Sequence, residues 1–157
     1  MAPLLAFFVP GLPIAQNRTK QGVNAAGGAY RYVEHQKPIH AWRAMIAMEG
    51  RRALGDRPLL TCAVELRILL VFPRPPSRRD LQLSRDDVVY HRGKPDNKNV
   101  LTGIEDSLNQ VVWVDDSQNA IIYIAKIYTR GDEKPGTHIE IREAKAPQGV
   151  KRWTSQN

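Results

Sequence analysis

The chain has 157 residues, of which 42% are hydrophobic and 25% charged, the balance of a folded globular domain rather than a disordered or fibrous one. Its longest apolar runs, Leu4–Val9 and Ile68–Phe72, fall far short of the roughly 18 apolar residues of a membrane span, and no Lys or Arg precedes the first, so neither an integral membrane protein nor a signal peptide is expected. A single cysteine, Cys62, excludes an intrachain disulfide framework and implies a reducing, cytoplasmic setting, while 23 Lys and Arg against 16 Asp and Glu give a net charge of +7 that suits a polyanionic partner such as nucleic acid.

In chain order, Leu4–Val9 reads as a buried strand closed by Pro10-Gly11-Leu12-Pro13. Gly27-Gly28 precedes the alternating Tyr30-Arg31-Tyr32-Val33, one arm of a hairpin. From Pro38 to Leu54 the apolar positions Trp42, Met45, Ile46 and Ala53, with Glu49, recur at three- and four-residue steps, and Gly55 stands where a helix C-cap is expected. Cys62 to Phe72 alternates clearly enough to predict a strand, with Cys62, Val64, Leu66, Ile68, Leu70 and Phe72 on one side. Pro73, Pro75 and Pro76 end it. The irregular stretch Arg74–Lys94 follows, too long for an ordinary connection and therefore a candidate functional loop. A second helix is predicted over Asn97–Asn109, with Val100, Ile104 and Leu108 as its apolar stripe. Strands are predicted at Ala120–Tyr128 and Thr137–Arg142, with Gly131–Gly136 as the turn between them. Residues 1–143 thus read as one α+β domain, a mixed sheet on two main helices rather than an alternating βαβ array. Residues 144–157 read as a polar basic tail in which Trp153 is the one large apolar side chain.

Three features carry potential chemistry: Lys94-Pro95-Asp96 at the entrance of the second helix, Glu105-Asp106-Ser107 on that helix, and Asp115-Asp116 just before a predicted strand. Carboxylates from a helix entrance and a strand entrance can converge, and hard cations such as Mg²⁺ take oxygen ligands. The same residues also have plain structural uses. Asp96 can cap the helix, Asp115-Asp116 can shape a turn, and Asp106 reads as a salt-bridge or capping partner rather than a ligand. Arg18, Lys20, Arg74, Arg78, Arg79, Arg92, Lys94 and Lys98 are the candidate phosphate contacts. His35, His40, His91 and His138 lack convincing metal-ligand spacing, and Cys62 reads as a small buried hydrophobe.

The stretch from Lys94-Pro95-Asp96 through Glu105-Asp106-Ser107-Leu108-Asn109 and Val112-Trp113 to Asp115-Asp116-Ser117-Gln118 resembles the signature of RusA-type Holliday junction resolvases, as does Val9-Pro10-Gly11-Leu12-Pro13 near the start. The resemblance implies a homodimeric endodeoxyribonuclease of DNA recombination and repair, often carried by phages, that uses Mg²⁺ or Mn²⁺ to cut four-way junctions. It implies Asp96, Asp115 and Asp116 as the catalytic and metal-binding carboxylates, with Asn99 at a matching asparagine. Two positions depart from the pattern. The family's second aspartate falls on Lys98 and its catalytic lysine on Thr102. An ammonium has no lone pair for a cation, so the resemblance leaves two readings, a working nuclease or a protein that binds branched DNA without cutting it.

Overall fold

In the computed structural model, which describes residues 2–16, 20–23, 25–32, 37–75 and 87–146, the alternation of buried and exposed side chains organises a four-stranded sheet. Strand β4 (Val64–Phe72) buries Val64, Leu66, Ile68, Leu70 and Phe72, the even-numbered face expected from its period of two. It sits in the interior of the sheet, whose order is β1 (Leu5–Pro10), β6 (Gly136–Glu143), β4, β5 (Asn119–Tyr128). β6 runs antiparallel to both β1 and β4. A separate hairpin pairs β2 (Lys20–Val23) with β3 (Ala29–Tyr32).

Helix α1 (Lys37–Leu54) buries Ile39, Trp42, Ile46 and Leu54. It ends at Gly55, whose φ of 64° and N–H bond to the Arg51 carbonyl (2.9 Å) make the expected left-handed stop. Helix α2 (Asn97–Leu108) buries Val100, Ile104 and Leu108 completely, each worth roughly 1.5–3 kcal/mol relative to an exposed side chain. These residues join the strand side chains and Trp113 in one core. Two buried glycines let the helices approach. A Cβ on Gly50 would lie 2.6 Å from Leu108 Cδ2, and one on Gly103 3.3 Å from Trp42 Cζ3.

The α+β expectation holds, with one refinement of topology. β4 and β5 are parallel and in register from Glu65↔Ile121 to Phe72↔Tyr128, so α2 is the crossover between two parallel neighbours. A βαβ unit is therefore embedded in an otherwise antiparallel sheet. Its geometry places the start of α2 near the carboxyl ends of β4 and β5, and the end of α2 near the start of β5.

Other differences from the sequence reading are local. Gly131 does turn, with φ of 49°, but Gly136 is buried strand, not turn. Cys62 lies just before β4 and is only partly buried, because the strand ladder begins two residues later. Among the described residues no helix is long and apolar enough to cross a membrane. His35, Trp153 and the rest of the tail from residue 147 lie outside the described residues.

Candidate functional site

The site is built along α2, because the crossover topology gives each end of that helix a different neighbour. At its start, Asp96 occupies the N-cap position with extended backbone (φ −73°, ψ 140°), yet its side chain makes no cap hydrogen bond. The Asp96 carbonyl accepts from the N–H groups of Asn99 (3.1 Å) and Val100 (3.3 Å). The first turn contains no further acidic residue, so Asp96 is the carboxylate at the positive end of the helix dipole. Arg92, Lys94 and Lys98 are exposed around this end.

The chain leading into α2 is held to β5. Val89 accepts from Tyr128 N–H (2.9 Å), and His91 N–H donates to the Lys126 carbonyl (3.0 Å). The ammonium of Lys126 then donates to the carbonyls of Gly93 and Pro95, both at 2.7 Å. The His91 ring stacks on Phe72 (centroids 4.3 Å apart) and tilts against Tyr128 (4.9 Å). Burial, reinforced by the Lys126 charge, pushes its pKa below the ordinary histidine value. His91 is thus a neutral packing residue. Gln16 N–H donates to the Asn99 carbonyl (3.0 Å), in the first turn of α2.

Along the helix, Lys98, Thr102 and Glu105 share a face by their spacing of four and three residues. Lys98 is exposed. The Thr102 hydroxyl donates to the Lys98 carbonyl (3.0 Å), so it is turned onto its own helix. Asp106 lies 3.6 Å from the Arg43 guanidinium, the salt-bridge role expected of it.

At the far end, Asp115 caps a 3-10 turn, Asp116–Gln118. Its Oδ1 accepts from Ser117 N–H (2.8 Å), and Gln118 Oε1 accepts from Asp115 N–H (3.0 Å), a reciprocal capping box. The other end of the Gln118 amide donates to the carbonyls of Leu60 and Cys62, each at 2.9 Å. The Asp-Asp-Ser-Gln motif therefore ties the start of β5 to the chain entering β4. Hydrogen bonds from Ser117, with a further contribution from Asp116, hold the Asp115 carboxyl below the usual carboxylate range.

Glu105, marked in the sequence only as part of the Glu105-Asp106-Ser107 feature, is brought by the fold up to the start of β5. Its Oε1 accepts from Asn119 Nδ2 (3.0 Å), and it feels the charges of Asp116 and Asp106. Burial first, then repulsion from these two aspartates, raises its pKa against the opposing Asn119 bond. The signal available in the sequence was its position seven residues after Lys98. Because the folded pKa lies above the unfolded one, the folded chain holds a proton that the unfolded chain has lost between the two values. Stability from this group therefore falls as pH rises through that window, and the penalty persists at neutral pH. Glu105→Gln keeps an oxygen for Asn119 and removes the charge. Its Tm is expected to exceed that of the unsubstituted chain at pH 7 and to converge with it near pH 4. Thermal unfolding across pH checks this, and a difference independent of pH would contradict it.

The residues of the expected site thus fall into two groups. Asp96 stands at one end of α2 beside Lys126. Asp116 acts on Glu105, which lies nine residues further along α2, about 14 Å of helix at 1.5 Å per residue. Among the described residues no three His, Cys, Asp or Glu side chains are grouped so that they could hold a metal ion. Arg74 is committed locally, its guanidinium donating to the Asp87 carbonyl (3.1 Å) and its N–H to Thr129 Oγ1 (3.2 Å). Arg18, Arg78 and Arg79 lie outside the described residues, and of Lys20 only the backbone, in β2, is described.

The residues that build this site lie within the span of a known class of DNA-processing domain. The family model for Endodeoxyribonuclease RusA matches residues 10–142, most of the chain and all of the site. The chain belongs to the RusA endodeoxyribonuclease family. Among individual proteins it is similar to Uncharacterized protein YqaN of Bacillus subtilis (strain 168), with 25% identity over 146 residues that cover 90% of this chain and 98% of the relative.

Proposed function

We propose that this protein is a structure-specific endodeoxyribonuclease of recombination and repair that acts on four-way DNA junctions. The family match across residues 10–142 carries this reading. The retained Lys94-Pro95-Asp96 and Asp115-Asp116 and the net charge of +7 support it. Asp96, Asp115 and Asp116 are its candidate catalytic carboxylates. Arg18, Lys20, Arg74, Arg78, Arg79, Arg92, Lys94 and Lys98 are its candidate phosphate contacts. A homodimer would match the two-fold symmetry of a junction cut at two symmetric positions.

The family implies a divalent cation, Mg²⁺ or Mn²⁺. The fit of these residues to one is incomplete. Their carboxylates are not gathered into a three-ligand group, Asp115 is engaged in capping, and an ammonium stands at residue 98. That same observation favours a second reading, a protein that keeps the basic face and binds branched DNA without cutting it.

A synthetic four-way junction incubated with Mg²⁺ or Mn²⁺ separates the two. On the first reading, junction DNA is nicked at paired positions, and Asp116→Asn abolishes nicking while leaving binding intact. Tight, salt-sensitive junction binding without nicking at any cation concentration supports the second. Equal affinity for junction and linear duplex removes both.

A further inference from the structure

Lys126, on β5, bonds the main chain that leads into α2. It lies on the face of β5 opposite Leu70 in the parallel register, and Leu70 is fully buried. Its side chain is half-buried. A partly desolvated ammonium is costly unless its N–H groups are satisfied. Here two of its three donors are satisfied by main-chain carbonyls, Gly93 and Pro95, at 2.7 Å each. Neither acceptor carries a formal charge, and among the described residues no carboxylate pairs with Lys126.

This choice of acceptors is informative. A lysine retained for surface charge points into water, and one retained for an ion pair meets a carboxylate. A lysine spanning two carbonyls two residues apart fixes the course of the main chain between and beyond them. The backbone of Lys126 is also engaged, accepting from His91 N–H. Residue 126 thus grips residues 91, 93 and 95 in succession, and residue 96 is the next in the chain. On the other flank Gln16 N–H holds the Asn99 carbonyl. The turn carrying Asp96 is thus held at residues 91, 93 and 95 before it and at residue 99 after it. Asp96 itself makes no side-chain cap bond that would orient it locally, so its placement depends on the turn.

We propose that Lys126 is a positioning residue, which acts through the Gly93 and Pro95 carbonyls to fix the Lys94-Pro95-Asp96 turn and so presents the Asp96 carboxylate to bound DNA. This rests on the nuclease reading above for its consequence, though not for its geometry. Well-oriented reacting groups account for a large part of enzymatic rate, and displacements near 1 Å can cost about 10²-fold.

Lys126→Met keeps the length and apolar stem and removes the donors. Lys126→Arg keeps donors and charge. Two readouts are needed. The first is amide hydrogen exchange at Asn99 and Val100, whose N–H groups bond the Asp96 carbonyl. In Lys126→Met these are expected to exchange at least tenfold faster, with no change at Ile104 or Leu108. Lys126→Arg should restore most of the protection. The second readout is junction turnover. In Lys126→Met, kcat for cutting is expected to fall about 10²-fold with KM and the salt slope of binding unchanged, and Lys126→Arg to recover part of it. Three results overturn the proposal: unchanged exchange at Asn99 and Val100, faster exchange throughout α2 that reflects general loosening, or loss of junction affinity equal to the loss of cutting, which makes Lys126 a phosphate contact. Should the unsubstituted chain not cut junctions at all, the nuclease reading fails and the exchange data still decide whether Lys126 fixes the turn.

Discussion

Gly136→Ala is expected to lower Tm by about 6–12 °C, the largest effect of any single methyl group added to the described core. Gly136 opens β6, pairs with Pro10 of β1 and Val71 of β4, and is buried. A Cβ there would lie 2.3 Å from two atoms of the Phe8 ring and 2.7 Å from the Val9 carbonyl oxygen. The ring can swing, but the carbonyl belongs to the neighbouring strand and cannot move without disturbing the ladder. Overpacking a core typically costs about 1–3 kcal/mol. Contact with both a ring and main chain puts this site at the upper end, near 3 kcal/mol. For a chain of this size each kcal/mol corresponds to roughly 2–4 °C. Scanning calorimetry measures it. A double-mutant cycle with Phe8→Ala identifies the cause, because removing the ring should relieve part of the Gly136→Ala penalty and leave the part due to the Val9 oxygen. Strict additivity would show that the ring is not the obstacle, and an unchanged Tm would show that β1 is not packed this closely.

Gly136 also illustrates what the sequence could convey. Before a strand, glycine reads as a turn, since the residue type reports conformational freedom and not the neighbour that requires its small size. The same holds for Gly50 and Gly103, whose role is to admit Leu108 and Trp42. The elements themselves were legible. The alternation from Val64 to Phe72 and the 100, 104, 108 stripe place their side chains on one face by backbone period alone. Pairing between strands was not, because Glu65 meets Ile121 and Leu66 meets Ile141 across separations that periodicity cannot encode. The parallel β4–β5 pair was missed for this reason, and with it the fact that the two ends of α2 have different neighbours.

The site was legible to the same extent. The signature marked Asp96 and the Asp115-Asp116 pair, and the family match spans both. It did not disclose that Gln118 and Asp115 are spent on holding a turn to Leu60 and Cys62. Nor did it disclose Lys126, or that Glu105 meets Asn119, because these roles come from Asn119 and from the carbonyls of residues 93 and 95. Long-range hydrogen bonds to main chain leave no mark in residue spacing.

Lys98→Asp combined with Thr102→Lys is expected to raise cation-dependent junction cutting by at least about 10²-fold over the unsubstituted chain, the range associated with a single well-placed electrostatic contributor. Residue 98 is exposed in the first turn of α2, two residues beyond Asp96 and on the face that leads to Glu105. An ammonium there repels a divalent cation and donates no electron pair. Two unit charges 4 Å apart interact by about 4 kcal/mol at an effective dielectric of 20, so exchanging Lys for Asp alters the local field by an amount that can decide cation binding. Thr102 now satisfies its hydroxyl on the Lys98 carbonyl, and a lysine in its place would reach outward from the same face. The single variants separate the two contributions. Lys98→Asp alone should make Tm rise with added Mg²⁺ or Mn²⁺ without restoring full cutting, and Thr102→Lys alone should strengthen junction binding and its salt dependence with no cation effect on Tm. If the double variant binds junctions as well as the unsubstituted chain and still cuts nothing at any cation concentration, residue 98 does not stand where a catalytic carboxylate belongs, and the correspondence drawn from Lys94-Pro95-Asp96 onward is out of register.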